Sequence, residues 1–118
     1  MIIDDLLSIL RHDPKAIDFN QVMQVINQFY VYTATDFSNG KLLNHAGSNG
    51  GSCKIFYFAQ LHQLSESETL SLFGSYYRND VLANPTGTDH GNIRNFMLHG
   101  WKGIKFDSAA LTKLKNNE

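Results

Sequence analysis

Gly50-Gly51-Ser52-Cys53-Lys54-Ile55-Phe56-Tyr57-Phe58-Ala59-Gln60-Leu61 is the stretch whose reading decides the fold. Ser52 reads as an N-cap, since its hydroxyl can accept from a first-turn amide. Behind it, Cys53, Ile55, Phe56, Phe58, Ala59 and Leu61 leave nearly every face of the segment apolar. A helix without a polar face has none to offer water, so it belongs at the centre, covered by its neighbours.

Those neighbours are legible on both sides. Upstream, Ile3, Leu6, Leu7 and Leu10 recur at helical spacing behind Asp4 and Asp5, and Pro14 closes the segment. Asp18 and Gln21 have the spacing of a capping box, and Val22, Val25, Ile26, Phe29 and Tyr30 form the stripe that follows. Val31–Phe37 is β-branched and aromatic, which predicts an extended strand. Ser38-Asn39-Gly40 then reads as a turn, with Leu42 and Leu43 as a short return before the glycine-bearing loop 44–51. Downstream, Ser65-Glu66-Ser67-Glu68 is a capping box opening a helix whose inward residues are Leu70, Phe73, Tyr77 and Val81. Asn84-Pro85-Thr86-Gly87 ends it. Thr88 or Asp89 is the expected cap of a helix carrying Ile93, Phe96 and Met97, stopped at Gly100. Ile104-Lys105-Phe106 reads as a strand beside 31–37, residues 107–111 as a last helical turn, and the chain from Lys115 on as a frayed end. The predicted fold is α+β and predominantly helical. It is a single compact domain over 1–118, with five or six helices and a small two- or three-stranded β element from 31–37, 41–43 and 103–106.

Bulk composition agrees. The 118 residues are 42% hydrophobic and 12% aromatic, proportions that suit one packed core and argue against disorder. Ten basic residues stand against 11 acidic ones, with no clustered basic stripe, so the electrostatic footprint of a nucleic-acid binder is missing. No run approaches the ~20 apolar residues of a membrane span. Met1-Ile2-Ile3-Asp4-Asp5 places acids where a signal peptide carries bases. Cys53 is the one cysteine, which excludes an internal disulfide and fits a reducing cytoplasm.

Several pieces of the second half resemble the HopJ type III effector family: Gly51-Ser52-Cys53-Lys54-Ile55-Phe56, Phe73-Gly74-Ser75-Tyr76-Tyr77-Arg78, Asp80-Val81-Leu82-Ala83-Asn84-Pro85, Gly87 through Met97, Gly100-Trp101, Gly103-Ile104 and Phe106. The order and spacing of these pieces cover 49–106, about half of the chain. The resemblance implies a protein that stays in the bacterial cytoplasm or is exported by type III secretion into a host cell. It carries over no catalytic residues and no cofactor.

Candidate chemistry is sparse. Cys53, expected in the first turn of its helix, could be a thiolate nucleophile with Asp89 and His90 as partners; the leading expectation is that it packs in the core as a small apolar residue. Asp89 has a sufficient role as an N-cap, and His90 beside it could act as an acid or base. Arg94, four residues past His90, would share its helical face and hold an anion with the exposed amides at that helix start, unless it is committed to a salt bridge with Asp80 or Asp89; Gly51 and Ser52 on the glycine-bearing loop are further ligand-binding candidates. Tyr76, beside the inward stripe, is expected at the surface, and Trp101 to pack at the domain edge with its indole N–H bonded. His12, His45, His62, His90 and His99 contain no pair three or four apart, and no CxxC or HExxH occurs, so no metal is predicted. The leading expectation is a non-enzymatic binding module with a bacterial or host protein partner and no nucleic-acid or membrane partner. The alternative is a small enzyme or anion-binding protein built around a Cys53/His90/Arg94 cleft.

Overall fold

Helix α3, Gly50–Leu61, runs through the middle of the molecule in a computed structural model that describes residues 1–114. The predicted fraying from Lys115 on lies outside the described residues. Ile55, Phe56, Phe58 and Ala59 are all fully buried, as an all-round apolar helix requires. The Phe56 ring gathers three parts of the chain, lying 6.2 Å from Phe37, 5.4 Å from Phe73 and 5.0 Å from Phe96. Truncating such a side chain to Ala typically costs 3–5 kcal/mol, so this ring is the keystone of the core.

Helix α1 (Ile3–His12) buries Leu6 and Leu10, and α2 (Phe19–Phe29) buries Val22, Val25 and Ile26. Of these two N-terminal helices, α2 packs on α3, and α1 packs on α2 and on the helix Glu66–Ser71. Asp18 caps α2 by accepting from Asn20 N at 3.2 Å, though Gln21 does not complete the expected box. Helix α4 (Glu66–Ser71) opens on the predicted capping box, with Glu68 N donating to Ser65 Oγ at 3.1 Å and Ser65 N to Glu68 Oε1 at 2.9 Å. It stops earlier than the stripe suggested. Gly74 has φ +62°, and a Cβ there would lie 2.8 Å from the Phe19 backbone nitrogen, so the chain turns tightly against the start of α2. A π-helical segment, Tyr76–Val81, follows. Leu70, Phe73 and Val81 still face inward as predicted. Helix α5, Gly91–His99, completes the helical layer with Ile93 and Phe96 buried.

The β structure is antiparallel and split in two. Strands β2 (Phe37–Asn39), β3 (Leu42–Asn44) and β4 (Ile104–Phe106) form a sheet of order β3-β2-β4, with Phe37 opposite Phe106. Strand β1 (Tyr30–Tyr32) pairs instead with β5 (Leu111–Lys113). The single strand expected over 31–37 is thus two. Between them, Thr35 Oγ1 donates to Asp36 O and accepts from Ser108 Oγ, while Asp36 Oδ1 accepts from Ala46 N at 2.7 Å. Side chains that satisfy local groups in this way compete with a continuous ladder. The expected helical turn over 107–111 is corrected as well: the open edge of Tyr30–Tyr32 recruits Leu111–Lys113 as a strand, and Thr33 N bonds Ala110 O at 2.8 Å. Ile104–Phe106 pairs with 37–39 rather than with 31–36.

Trp101 packs edge-on against Phe96 with its indole N–H donated to Leu64 O at 3.1 Å. Among the described residues, no helix is long and apolar enough to cross a membrane.

Candidate functional site

Helices α3 and α5 begin at the walls of one cavity of about 520 Å³, lined by Phe19, Leu42, Asn49, Gly51, Ser52, Phe73, Tyr76, His90, Gly91, Asn92 and Ile93. Both starts break the expected pattern. The cap of α3 is Asn49 rather than Ser52, and the cap of α5 is His90 rather than Thr88 or Asp89. Each is left-handed, at φ 53° and φ 52°, and neither donates or accepts a side-chain capping bond. The first intrahelical bonds are Cys53 N to Asn49 O and Arg94 N to His90 O. The amides of Gly51 and Ser52, and those of Gly91, Asn92 and Ile93, precede them and have no side-chain cap. A left-handed residue followed by right-handed ones turns successive N–H groups toward a common point, the concavity that anions occupy.

Asparagines fix the two helix starts to each other. Asn49 Nδ2 donates to Asn44 Oδ1 at 2.7 Å, and Asn92 Nδ2 donates to the same oxygen at 2.9 Å. Asn92 Oδ1 in turn accepts from Asn44 Nδ2 and Asn39 Nδ2, each at 3.1 Å. Asn39, Asn44 and Asn92 are buried. Asn39 Oδ1 is buried without a partner, but the shared bonds among Asn39, Asn44, Asn49 and Asn92 tie the two helix starts and the strand pair into one geometry. The network is uncharged; the carboxylates near these helix starts are Asp80 and Asp89, both beside His90.

His90 is the imidazole on the cavity wall. Its Nε2 lies 2.9 Å from Asp80 Oδ2 and 3.8 Å from Asp89 Oδ2, and its side chain is 28% exposed. The ring leans on Tyr76, with centroids 5.2 Å apart, and Tyr76 meets Phe19 edge-on at 5.0 Å. Tyr76 is exposed, in line with expectation.

Of the residues singled out from sequence, Gly51, Ser52, Tyr76 and His90 meet on this cavity, whereas Cys53, Asp89 and Arg94 do not line it. Cys53 is one residue past Ser52, a rotation of about 100° on a helix, which turns it into the core at 1% exposure. Burial pushes its thiol up, and the Tyr32 hydroxyl and Lys54 ammonium beside it oppose that shift without reversing it. A buried thiol with a raised pKa is the opposite of an activated nucleophile.

Arg94 is bound elsewhere. Its Nε donates to Asp89 O at 2.6 Å, NH1 to Asn84 O at 2.8 Å and NH2 to Asp89 Oδ1 at 2.6 Å, tying loop 84–89 to α5. That guanidinium bond is the main reason the Asp89 carboxyl sits below the usual carboxylate range. The same-face argument for His90 and Arg94 fails because His90, being left-handed, is outside the helical register. Arg94 borders a second groove with Val81, Leu82, Pro85, Gly87, Met97 and Leu98. Asn49, Asn92 and Asp80 are the site residues that sequence reasoning missed. Asn49 reads as a loop residue, Asn92 as a helix position, and Asp80 only as a salt-bridge candidate for Arg94.

Fold and cavity together define a small α+β domain in which two uncapped helix starts, an aromatic wall and a histidine share one cleft. The chain belongs to the HopJ type III effector protein family, whose model matches residues 3–111. It is also similar to the crystal structure of the unknown-function protein VPA0580, at 46% identity and a TM-score of 0.95, over 97% of this chain and 95% of that one. No curated protein matches the chain at a level that supports an argument.

Proposed function

We propose that this protein is a binding module for a small molecule bearing a phosphate or carboxylate group. One observation carries the reading: the first-turn residues of α3 and α5, neither helix having a side-chain cap, line the same 520 Å³ cavity. Amides and helix dipoles at such a terminus attract an anion without any charged side chain. Phe19, Leu42, Phe73, Tyr76 and Ile93 supply an apolar remainder for the rest of the ligand, the usual composition of a small-molecule pocket.

Titration of the ¹⁵N-labelled protein with inorganic phosphate tests this. Saturable amide shifts should appear at Gly51–Ser52 and Gly91–Ile93. Gly91→Glu should abolish them with the fold intact, because a Cβ at Gly91 meets nothing closer than Leu42 Cδ2 at 3.6 Å. Shifts that never saturate, or that fall elsewhere, would defeat the reading.

A second reading, docking of a bacterial or host protein partner, is favoured by one feature. Leu82, Met97 and Leu98 are 49%, 45% and 77% exposed around the groove that Arg94 borders. An apolar cluster of that kind marks interaction surfaces. A photo-crosslinking residue at 98 should trap one partner, and Leu82→Asp should prevent it; indiscriminate trapping counts against docking. Under both readings the protein works in the bacterial cytoplasm, or in a host cell after type III export.

A further inference from the structure

The Asp80–His90 pair has no part in binding an anion, yet it stands on the wall of the same cavity. Asp80 comes from the π-helical segment and His90 from the start of α5, so two elements of independent origin bring a carboxylate to 2.9 Å from an imidazole. A carboxylate bonded to one ring nitrogen fixes the tautomer and leaves the other nitrogen as a base. We propose that the cleft hydrolyses small carboxylic esters, with His90 as general base and Asp80 as its positioning residue. This rests on the anion-binding reading above, because the same amides receive the charge that the reaction develops.

The step balances without a further reactant. Water in the cleft gives a proton to His90 Nδ1 while its oxygen bonds the ester carbonyl carbon. The carbonyl π pair moves to oxygen, and that oxyanion faces the amides of Gly51–Ser52 or Gly91–Ile93. The tetrahedral species then expels its alkoxy oxygen, which takes the proton back from His90. Ester and water become carboxylic acid and alcohol. Preformed amide donors hold the oxyanion more tightly than the neutral carbonyl, which is the condition for accelerating the step. The apolar wall of Phe19, Leu42, Phe73 and Ile93 suits a short acyl or aryl group. The groups facing His90 are Asp80 at 2.9 Å, Asp89 at 3.8 Å and the Tyr76 ring, with Arg94 engaged by Asp89.

The test uses the full chain with p-nitrophenyl acetate and p-nitrophenyl butyrate. Wild type should show saturable hydrolysis, and His90→Ala should lower kcat about 100-fold or more, the usual worth of a general base. His90→Asn is the companion variant, since asparagine tolerates the left-handed conformation that His90 adopts and offers no base. It should fold like wild type and lose the same activity. Asp80→Asn should lower kcat about tenfold with KM little changed, and should shift the acid limb of the kcat–pH profile, which a merely structural Asp80 would not do. Unsaturable hydrolysis, or equal rates in wild type and His90→Asn, overturns the proposal. If phosphate still shifts the amides of Gly51–Ser52 and Gly91–Ile93 in that event, anion binding stands and catalysis alone falls. If it does not, both fall.

Discussion

Asn92→Ala removes the centre of the buried amide network. Its side chain donates to Asn44 Oδ1 at 2.9 Å and accepts from Asn44 and Asn39 at 3.1 Å, so three bonds vanish. Asn44 Oδ1 keeps Asn49, and Asn39 Nδ2 keeps the Asn92 carbonyl at 2.8 Å, but Asn44 Nδ2 is left buried without its partner. Net worth of ~1 kcal/mol per bond, with the orphaned donor included, gives a loss of about 3 kcal/mol. For a domain of this size that is a fall in Tm of roughly 10–15 °C. Urea denaturation followed through Trp101 fluorescence measures it, with the m-value checked for constancy. The cycle Asn44→Ala, Asn92→Ala and the double variant should show coupling above about 0.5 kcal/mol. A loss under about 1 kcal/mol, or simple additivity, would mean that the asparagines do not act as a unit and that the cleft walls are held by packing alone.

Arg94→Ala should destabilise by about 1–3 kcal/mol, because two loop carbonyls and Asp89 lose their donor; Arg94→Lys should recover little, since one ammonium cannot reproduce a three-way fork. An unchanged urea midpoint would return Arg94 to the list of free anion ligands. Cys53 should resist iodoacetamide in the folded protein and react promptly in urea, and prompt alkylation at neutral pH would contradict its burial. His62 is held below the ordinary imidazole range, chiefly by burial, with Lys113 adding to that and Asp4 opposing it. In the window below about pH 6.5 the unfolded chain therefore binds more protons than the folded one, and stability falls as pH drops through it. His62→Gln should flatten that slope in urea midpoints taken between about pH 7 and 5, and an unaltered slope would assign it to other groups.

How far the sequence carried is clearest residue by residue. The central helix was legible because its apolar content is not confined to one face, and Ser65-Glu66-Ser67-Glu68 because a capping box is a local device. The breaks at Gly74 and between Tyr32 and Phe37 were not, since each is imposed by a distant contact: the start of α2 against Gly74, and Ser108 and Ala46 against Thr35 and Asp36. The cleft was half legible. Glycine-bearing bends pointed to Gly51, Ser52 and His90, but the direction of Cys53 and Arg94 hung on where each helix begins, and both begin at left-handed residues that ordinary capping preferences pass over. Asn39 and Asn44 read as turn and loop residues and Asn92 as an ordinary helix position, for a buried amide network leaves no mark along the chain.

The pairing of Tyr30–Tyr32 with Leu111–Lys113 also constrains how the molecule is made. Some eighty residues must be synthesised after the first strand before its partner exists, and β2 waits almost as long for β4. At about 5–20 residues per second a nascent chain spends several seconds with α1 and α2 available but both strand edges open. Emerging chains should therefore depend on whatever shields those edges until synthesis has passed Lys113, and ribosome-stalled intermediates should be protease-sensitive around Tyr30–Phe37 long after the helices have formed.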